Sequence, residues 1–166
     1  MTEIDRCDRI EICDSGFRID GDKENYNEKE WQTADGLLTY SMGGLHVLAG
    51  SDGGSAGVRF CYSDDEIPES GQWDSSATVH VNFVDGLSFV DTYSEKFGVG
   101  DDLKFLSLPE RDLIVRVSVT GRSRALNSRE GAFDAEDPSE LPEQFLVEAW
   151  PAGADMNYGI VVESDG

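Results

Sequence analysis

The sequence predicts an all-β fold, a single-domain antiparallel β-sandwich over residues 1–166 with long acidic loops. Three observations predict it. Apolar residues recur at every second position in several segments, the period of a strand with one face buried. Gly and Asp punctuate the chain between those segments, and turn signals at roughly 8–12-residue intervals mark sandwiches and barrels. The chain shows no internal repeat, no long amphipathic helix and no Pro/Ser-rich linker that would divide it.

Taken in order, Arg9–Cys13 and Gly16–Ile19 are short strand candidates, followed by a loop or helical turn over Asp20–Trp31. Leu37–Ser41 and Leu45–Ala49 flank Gly43-Gly44. Val58, Phe60 and Tyr62 alternate with other residues, and Ala77, Val79, Val81 and Phe83 share one face of the next strand. Asp85-Gly86 then separates two apolar runs, which predicts a tight hairpin into Leu87–Val90. Leu103–Leu106 is a weak candidate. In Ile114–Val119 the residues Val115, Val117 and Val119 form the buried face, and Arg116 and Ser118 are expected to face water. Gly131–Pro142 is an acidic excursion whose Pro138 and Pro142 suit neither a helix interior nor a central strand. Phe145–Trp150 and Ile160–Val162 close the set. Trp150, next to Pro151, is expected in the core.

A chain of this length, with 39% hydrophobic residues, supports one domain that buries roughly two-thirds of its unfolded surface. Met1-Thr2-Glu3-Ile4-Asp5 has neither the basic nor the apolar region of a secretory signal. No apolar run approaches the ~18 residues of a membrane span. Cys7, Cys13 and Cys61 are odd in number and lack CxxC spacing. They read as reduced thiols of a cytoplasmic protein, with Cys13 and Cys61 partly in the core, and a Cys7–Cys13 disulfide is the alternative.

Signatures of catalysis are absent from the pattern. The two histidines, His46 and His80, have no second His or Cys at ligand spacing and read as surface or edge residues. There is no GxSxG elbow, and Gly50-Ser51-Asp52-Gly53-Gly54-Ser55 lacks the Lys of a phosphate-binding loop, so it reads as a flexible hairpin turn. Asp20–Glu28 resembles the start of a calcium loop, but Asn25 and Trp31 stand where Gly and Glu are required. Pairs such as Asp64-Asp65, Asp101-Asp102 and Glu136-Asp137 are expected by chance among 34 acids. No metal, cofactor or catalytic residue is therefore expected.

Charge carries more information. With 34 Asp and Glu against 13 Lys and Arg, the formal net charge is -21. Such a field argues against nucleic acid or an anionic membrane as partner and favours a basic protein. The acids lie within folded-looking sequence rather than in a disordered tail. Two loops concentrate them. Asp64, Asp65, Glu66 and Glu69 flank Pro68, and Asp134, Glu136, Asp137, Glu140 and Glu143 line the later excursion. These are the expected partner-binding residues, with Trp73 or Phe133 as an apolar anchor amid the charge. Solvated loops without a partner are the competing reading.

Leu108-Pro109, then Leu113 to Arg122, then Pro142 to Ala152 ending in Trp150-Pro151-Ala152, form a recognisable layout: strand, Gly-Arg turn, acidic loop, closing strand. It resembles a group of bacterial cytoplasmic β-sandwich proteins and is distantly similar to the competence protein J family, which inhibits a nuclease. The resemblance covers about fifty residues. Asp112 and Leu113 replace the Gly and Tyr common before the Arg-Val strand, while Trp31, Ala34 and Asp35 match an early Trp motif. The resemblance implies a sandwich and a non-enzymatic, partner-binding role. Without it, Arg116 and Arg122 would share one face of a continuous strand and pair with acids such as Glu148.

The leading expectation is an immunity protein or inhibitor of a toxin or nuclease. It would act by occlusion, its carboxylates lying where phosphates would lie. The alternatives are an acidic housekeeping protein of a high-salt host, consistent with only four Lys, and a carbohydrate- or small-molecule-binding sandwich using Trp31 and Trp73.

Overall fold

The computed structural model describes residues 3–21, 31–33, 36–41, 44–50, 53–83, 86–91, 99–122, 137–153 and 161–164. Two sheets face each other. The six-stranded sheet has the order β1 (Glu3–Glu11), β6 (Ser55–Ser63), β10 (Gln144–Pro151), β9 (Asp112–Thr120), β7 (Ser75–Asn82) and β11 (Val161–Ser164). The five-stranded sheet has the order β3 (Trp31–Gln32), β4 (Leu38–Ser41), β5 (Gly44–Leu48), β2 (Gly16–Asp20) and β8 (Ser88–Asp91). The all-β sandwich expected from the period-two pattern is the fold.

The alternating residues meet between the sheets. Val58 and Phe60 of β6, Val79 and Val81 of β7, Val115 and Val117 of β9, and Phe145 and Val147 of β10 are all buried. Phe17 and Phe89 oppose them from the other sheet. The Phe17 ring meets Phe145 edge-on at 5.0 Å, and Phe60 meets Phe89 at 6.1 Å and 76°. Edge-to-face pairs of this kind add to the area they bury.

Three connections differ from the sequence-based expectation. Asp85-Gly86 does not close a tight hairpin, because β7 lies in one sheet and β8 in the other. Gly86 has φ 102°, and a Cβ there would strike the Leu106 carbonyl, so this is a crossing between layers at a point only glycine fits. Likewise the Gly50–Ser55 segment links β5 to β6 across the sheets rather than within one. Leu103–Leu106 is a 3₁₀ turn at Asp101–Leu103 followed by an isolated bridge from Leu106 to Leu87.

The fourth difference positions the site. β6 and β10 pair in parallel, whereas β10–β9 and β9–β7 are antiparallel. It follows that β6 and β7 run in the same direction with β10 and β9 between them. Parallel strands need a long crossover, and residues 64–74 provide it.

β1 begins earlier than its hydrophobic pattern shows. Glu3 to Asp8 are mostly exposed and polar yet register with Ser63 to Val58. An edge strand needs ladder hydrogen bonds more than an apolar face, so no alternation marks it. No helix among the described residues is long and apolar enough to cross a membrane.

Candidate functional site

The outer face of the six-stranded sheet carries two rows of side chains in register. One runs Thr78, Arg116, Glu148, Cys61, Asp5; the next runs Ser76, Ser118, Leu146, Arg59, Cys7. Arg116 and Ser118 were expected to face water, but they are 5% and 1% exposed. The crossover from β6 to β7 lies over them as a strap. Arg116 Nη2 donates to the Ile67 carbonyl at 2.9 Å and to the Pro68 carbonyl at 3.2 Å. Its Nε and Nη2 both reach Glu148 Oε1, at 3.0 and 2.9 Å, and its guanidinium lies 5.0 Å from the Trp150 ring centroid. The pairing of Arg116 with Glu148 is the one the strand pattern anticipated. Ser76 and Ser118 hydroxyls bond at 2.9 Å on the same face, both buried.

Asp65, Glu66 and Glu69 are exposed, and Asp64 is half-buried with its Oδ1 accepting from the Tyr62 hydroxyl at 3.2 Å. Burial and that carboxylate push the Tyr62 phenol up to about 12. Trp73 is half-buried, and its Nε1 donates to the Ser70 carbonyl at 2.7 Å. The strap ends at Asp74, whose Oδ2 accepts from the Gly121 and Arg122 backbone amides at 2.9 and 3.2 Å. Pinned at Tyr62, Arg116 and Asp74, it presents its carboxylates from a fixed backbone.

The second acidic loop reaches the same face. Of its predicted site residues, Phe133, Asp134 and Glu136 lie outside the described residues. Asp137 and Glu140 are exposed on a short 3₁₀ turn, Pro138–Glu140. Asp137 caps that turn, accepting from the Ser139 amide at 2.9 Å and its hydroxyl at 2.8 Å. Those donors hold its carboxyl below the usual carboxylate range. Gln144 Nε2 ties the turn down through the Pro138 and Leu141 carbonyls. The Pro138 carbonyl sits against Gly57, on the outward side of β6 between the inward-facing Ala56 and Val58. The described parts of both acidic loops therefore occupy one face of the sandwich.

Glu143 corrects the expectation. It is 1% exposed, and Oε2 accepts from the Gly50 amide at 2.7 Å. It fastens the loop after β5 to the start of β10 instead of meeting solvent. Burial raises its carboxyl, offset in part by Gly50 and Arg122. Arg122 is no continuation of the Arg116 face. Gly121, at φ 85°, ends β9, and Arg122 Nη2 turns to the Leu48 carbonyl at 2.9 Å.

His80 is also corrected. It is 3% exposed, with Nε2 3.9 Å from Asp112 Oδ1. The outer face of β7 is covered there, so a polar position in the pattern is not a wet one. His46 is half-buried, and burial together with Arg18 lowers its affinity for a proton. Cys7, Cys13 and Cys61 are not joined in disulfides. Cys61 is pushed up to about 11, by burial first and Asp5 second. No cluster of potential metal ligands occurs among the described residues. The calcium-like segment 22–30 and the side chain of Trp31 are outside them.

Beside the strap is a groove of about 490 Å³ that the sequence did not announce. Ile67, Pro68, Ile114, Trp150, Thr78 and Arg116 line it, with Glu66 and Glu69 on the strap side. Trp150 is buried as expected, but on this outer face rather than between the sheets. Two signals could have located the groove: the proline set among four acids, and the single basic residue in a mostly apolar strand.

No protein-family model and no curated protein sequence matches the chain. Two solved structures are similar. One is described as crocagin biosynthetic gene J, with TM-score 0.57 and 15% identity over 92% of this chain and all of that one. The other is ComJ from Bacillus subtilis, an inhibitor of the DNA degrading activity of NucA, with TM-score 0.59 and 12% identity over 92% and 100%. At these identities the likeness is one of fold.

Proposed function

We propose that this chain is a non-enzymatic acidic binding protein that neutralises a basic protein partner, acting as an immunity protein or inhibitor of a bacterial toxin or nuclease in the cytoplasm. The observation that carries the reading is the shared placement of the two acidic loops. The strap bearing Asp64, Asp65, Glu66 and Glu69 and the turn bearing Asp137 and Glu140 lie over one sheet face. The sandwich shared with ComJ, itself a nuclease inhibitor, supports the same direction. The mechanism is occlusion. Carboxylates fixed on a rigid sheet enter a groove built for phosphates, and the net charge of -21 steers the encounter.

The test is a pulldown with the tagged chain from its native lysate at low salt and at ~0.5 M salt, where the Debye length is about 4–5 Å. The expected result is one basic protein whose nucleic-acid-cleaving or toxic activity falls on stoichiometric addition of the chain. Recovery of no basic protein, or of one whose activity is unaffected, overturns the reading.

A further inference from the structure

We infer that the groove beside the strap receives the arginine or lysine side chain of an extended basic segment of the protein partner. This deepens the reading above and rests on it for the identity of the partner as a protein.

The groove is chemically mixed. Ile67, Ile114 and Trp150 give it apolar walls, and Glu66 and Glu69 stand exposed along the strap that borders it. An anionic ligand would meet those two carboxylates and the field behind them. A purely apolar side chain would leave them unused. An arginine or lysine satisfies both, with its methylenes against Ile114 and Trp150 and its head group at the carboxylates. The volume of about 490 Å³ exceeds a single side chain and leaves room for flanking backbone; sites for small ligands span roughly 300–1,000 Å³.

Arg116 at the floor does not oppose this. Its charge is paired with Glu148, and its Nε and Nη2 donors are committed. Its Nη1 makes no hydrogen bond among the described residues, and a main-chain carbonyl of an extended segment in the groove would give it an acceptor. The groove thus offers a donor for the backbone and acceptors for the side chain.

The probe is the acetylated, amidated peptide Arg-Gly-Arg-Gly-Arg, titrated into the 15N-labelled protein while the Trp150 indole signal is followed. The signal is assigned by its loss in Trp150→Phe. A control peptide carries the same charges on 2,4-diaminobutyrate, whose stem is only two methylenes long. The expected result is a saturable shift at Trp150 that is at least fivefold weaker for the control, and at least fivefold weaker for Glu66→Gln/Glu69→Gln. No saturable shift, equal affinity for both peptides, or indifference to the double variant overturns the groove assignment.

The two readings fail separately. Inhibition of a partner without any peptide response at Trp150 removes the groove and keeps the inhibitor. A peptide response obeying both controls, with no protein inhibited, keeps a cation-accepting groove and removes the inhibitor.

Discussion

Arg116 and Glu148 face each other across β9 and β10, directly in register, with Nη2 and Oε1 2.9 Å apart and both residues buried on the outer side of the sheet. The pair is shut in because the β6–β7 crossover passes above it and accepts two further bonds from Arg116. One side chain therefore joins a central strand, its neighbour and the acidic strap. This links the packing of the sheet to the surface expected to meet a partner.

Breaking that pair from one side should be expensive. Arg116→Met leaves Glu148 as a buried carboxylate without its cation, a loss of about 3–5 kcal/mol. The double variant Arg116→Met/Glu148→Leu should recover much of it, since a buried ion pair replaced by apolar groups is often neutral. It should still release the strap, because the Ile67 and Pro68 carbonyls lose their donor. Urea unfolding gives the stabilities, and amide exchange across residues 64–74 reports the strap. A double variant with fully protected strap amides would contradict this account.

Charge reversal on the strap should separate binding from folding. Asp65, Glu66 and Glu69 are exposed, and surface changes away from special features usually stay within about 0.5 kcal/mol. Asp65→Lys/Glu66→Lys/Glu69→Lys should melt within a few degrees of the parent. Its association with a basic partner should slow at low salt and lose salt dependence, because rim charges act chiefly on the on-rate. Stopped-flow association at two ionic strengths checks this. An unchanged on-rate for the triple variant would move the contact to the turn at Asp137 and Glu140 or to another surface.

Gly86 and Gly71 both have positive φ, 102° and 82°, yet should respond differently to alanine. At Gly86 a Cβ meets the Leu106 carbonyl and the Ser107 backbone, neither of which can rotate away. At Gly71 it meets the Trp73 indole at 3.4 Å, an ordinary contact. Gly71→Ala should cost about 1–2 kcal/mol, the penalty of the left-handed backbone alone. Gly86→Ala should cost clearly more and disturb the crossing from β7 to β8. Thermal melts of the two variants compare the effects directly.

What could be read from the sequence follows from what each signal measures. Period two reports a face hidden from water, so Val79, Val117 and Phe145 identified their strands, while the polar edge strand Glu3–Asp8 carried no such mark. The same logic misled at His80, Arg116 and Ser118, all buried. Alternation distinguishes two faces but cannot tell that the second will also be covered, as the crossover covers Arg116. That cover depends on β6 and β10 pairing in parallel, a long-range choice no local pattern encodes. Asp85-Gly86 has hairpin chemistry, but it serves a crossing between sheets, because the turn residues set the backbone and not the pairing. The strap and the described part of the later acidic loop were legible as loops. Their common placement on one face, and the groove beside the strap, arise only when residues distant in sequence are brought together. Glu143 shows the limit of reading charge as exposure, since an acid in an acidic run can be drawn inside by one backbone amide.

Glu143 also makes a pH prediction. Burial raises its carboxyl in the folded chain above the ordinary value, despite the Gly50 amide and the nearby Arg122. The folded state then binds that proton more tightly than the unfolded chain does. The contribution of this group to stability is present below the unfolded-state value near 4.5 and is lost as pH rises through the raised folded value. Glu143→Gln is neutral at every pH and retains an oxygen to accept from Gly50. It should match the parent near pH 4 and exceed it in stability at pH 7. Glu143→Ala removes the acceptor and leaves the Gly50 amide unsatisfied, a loss of about 1–3 kcal/mol. Denaturant titrations of the three proteins at pH 4 and pH 7 decide the matter. A Gln variant less stable than the parent at pH 7 would mean that the Glu143 carboxylate is held by a favourable charge interaction, outweighing its burial.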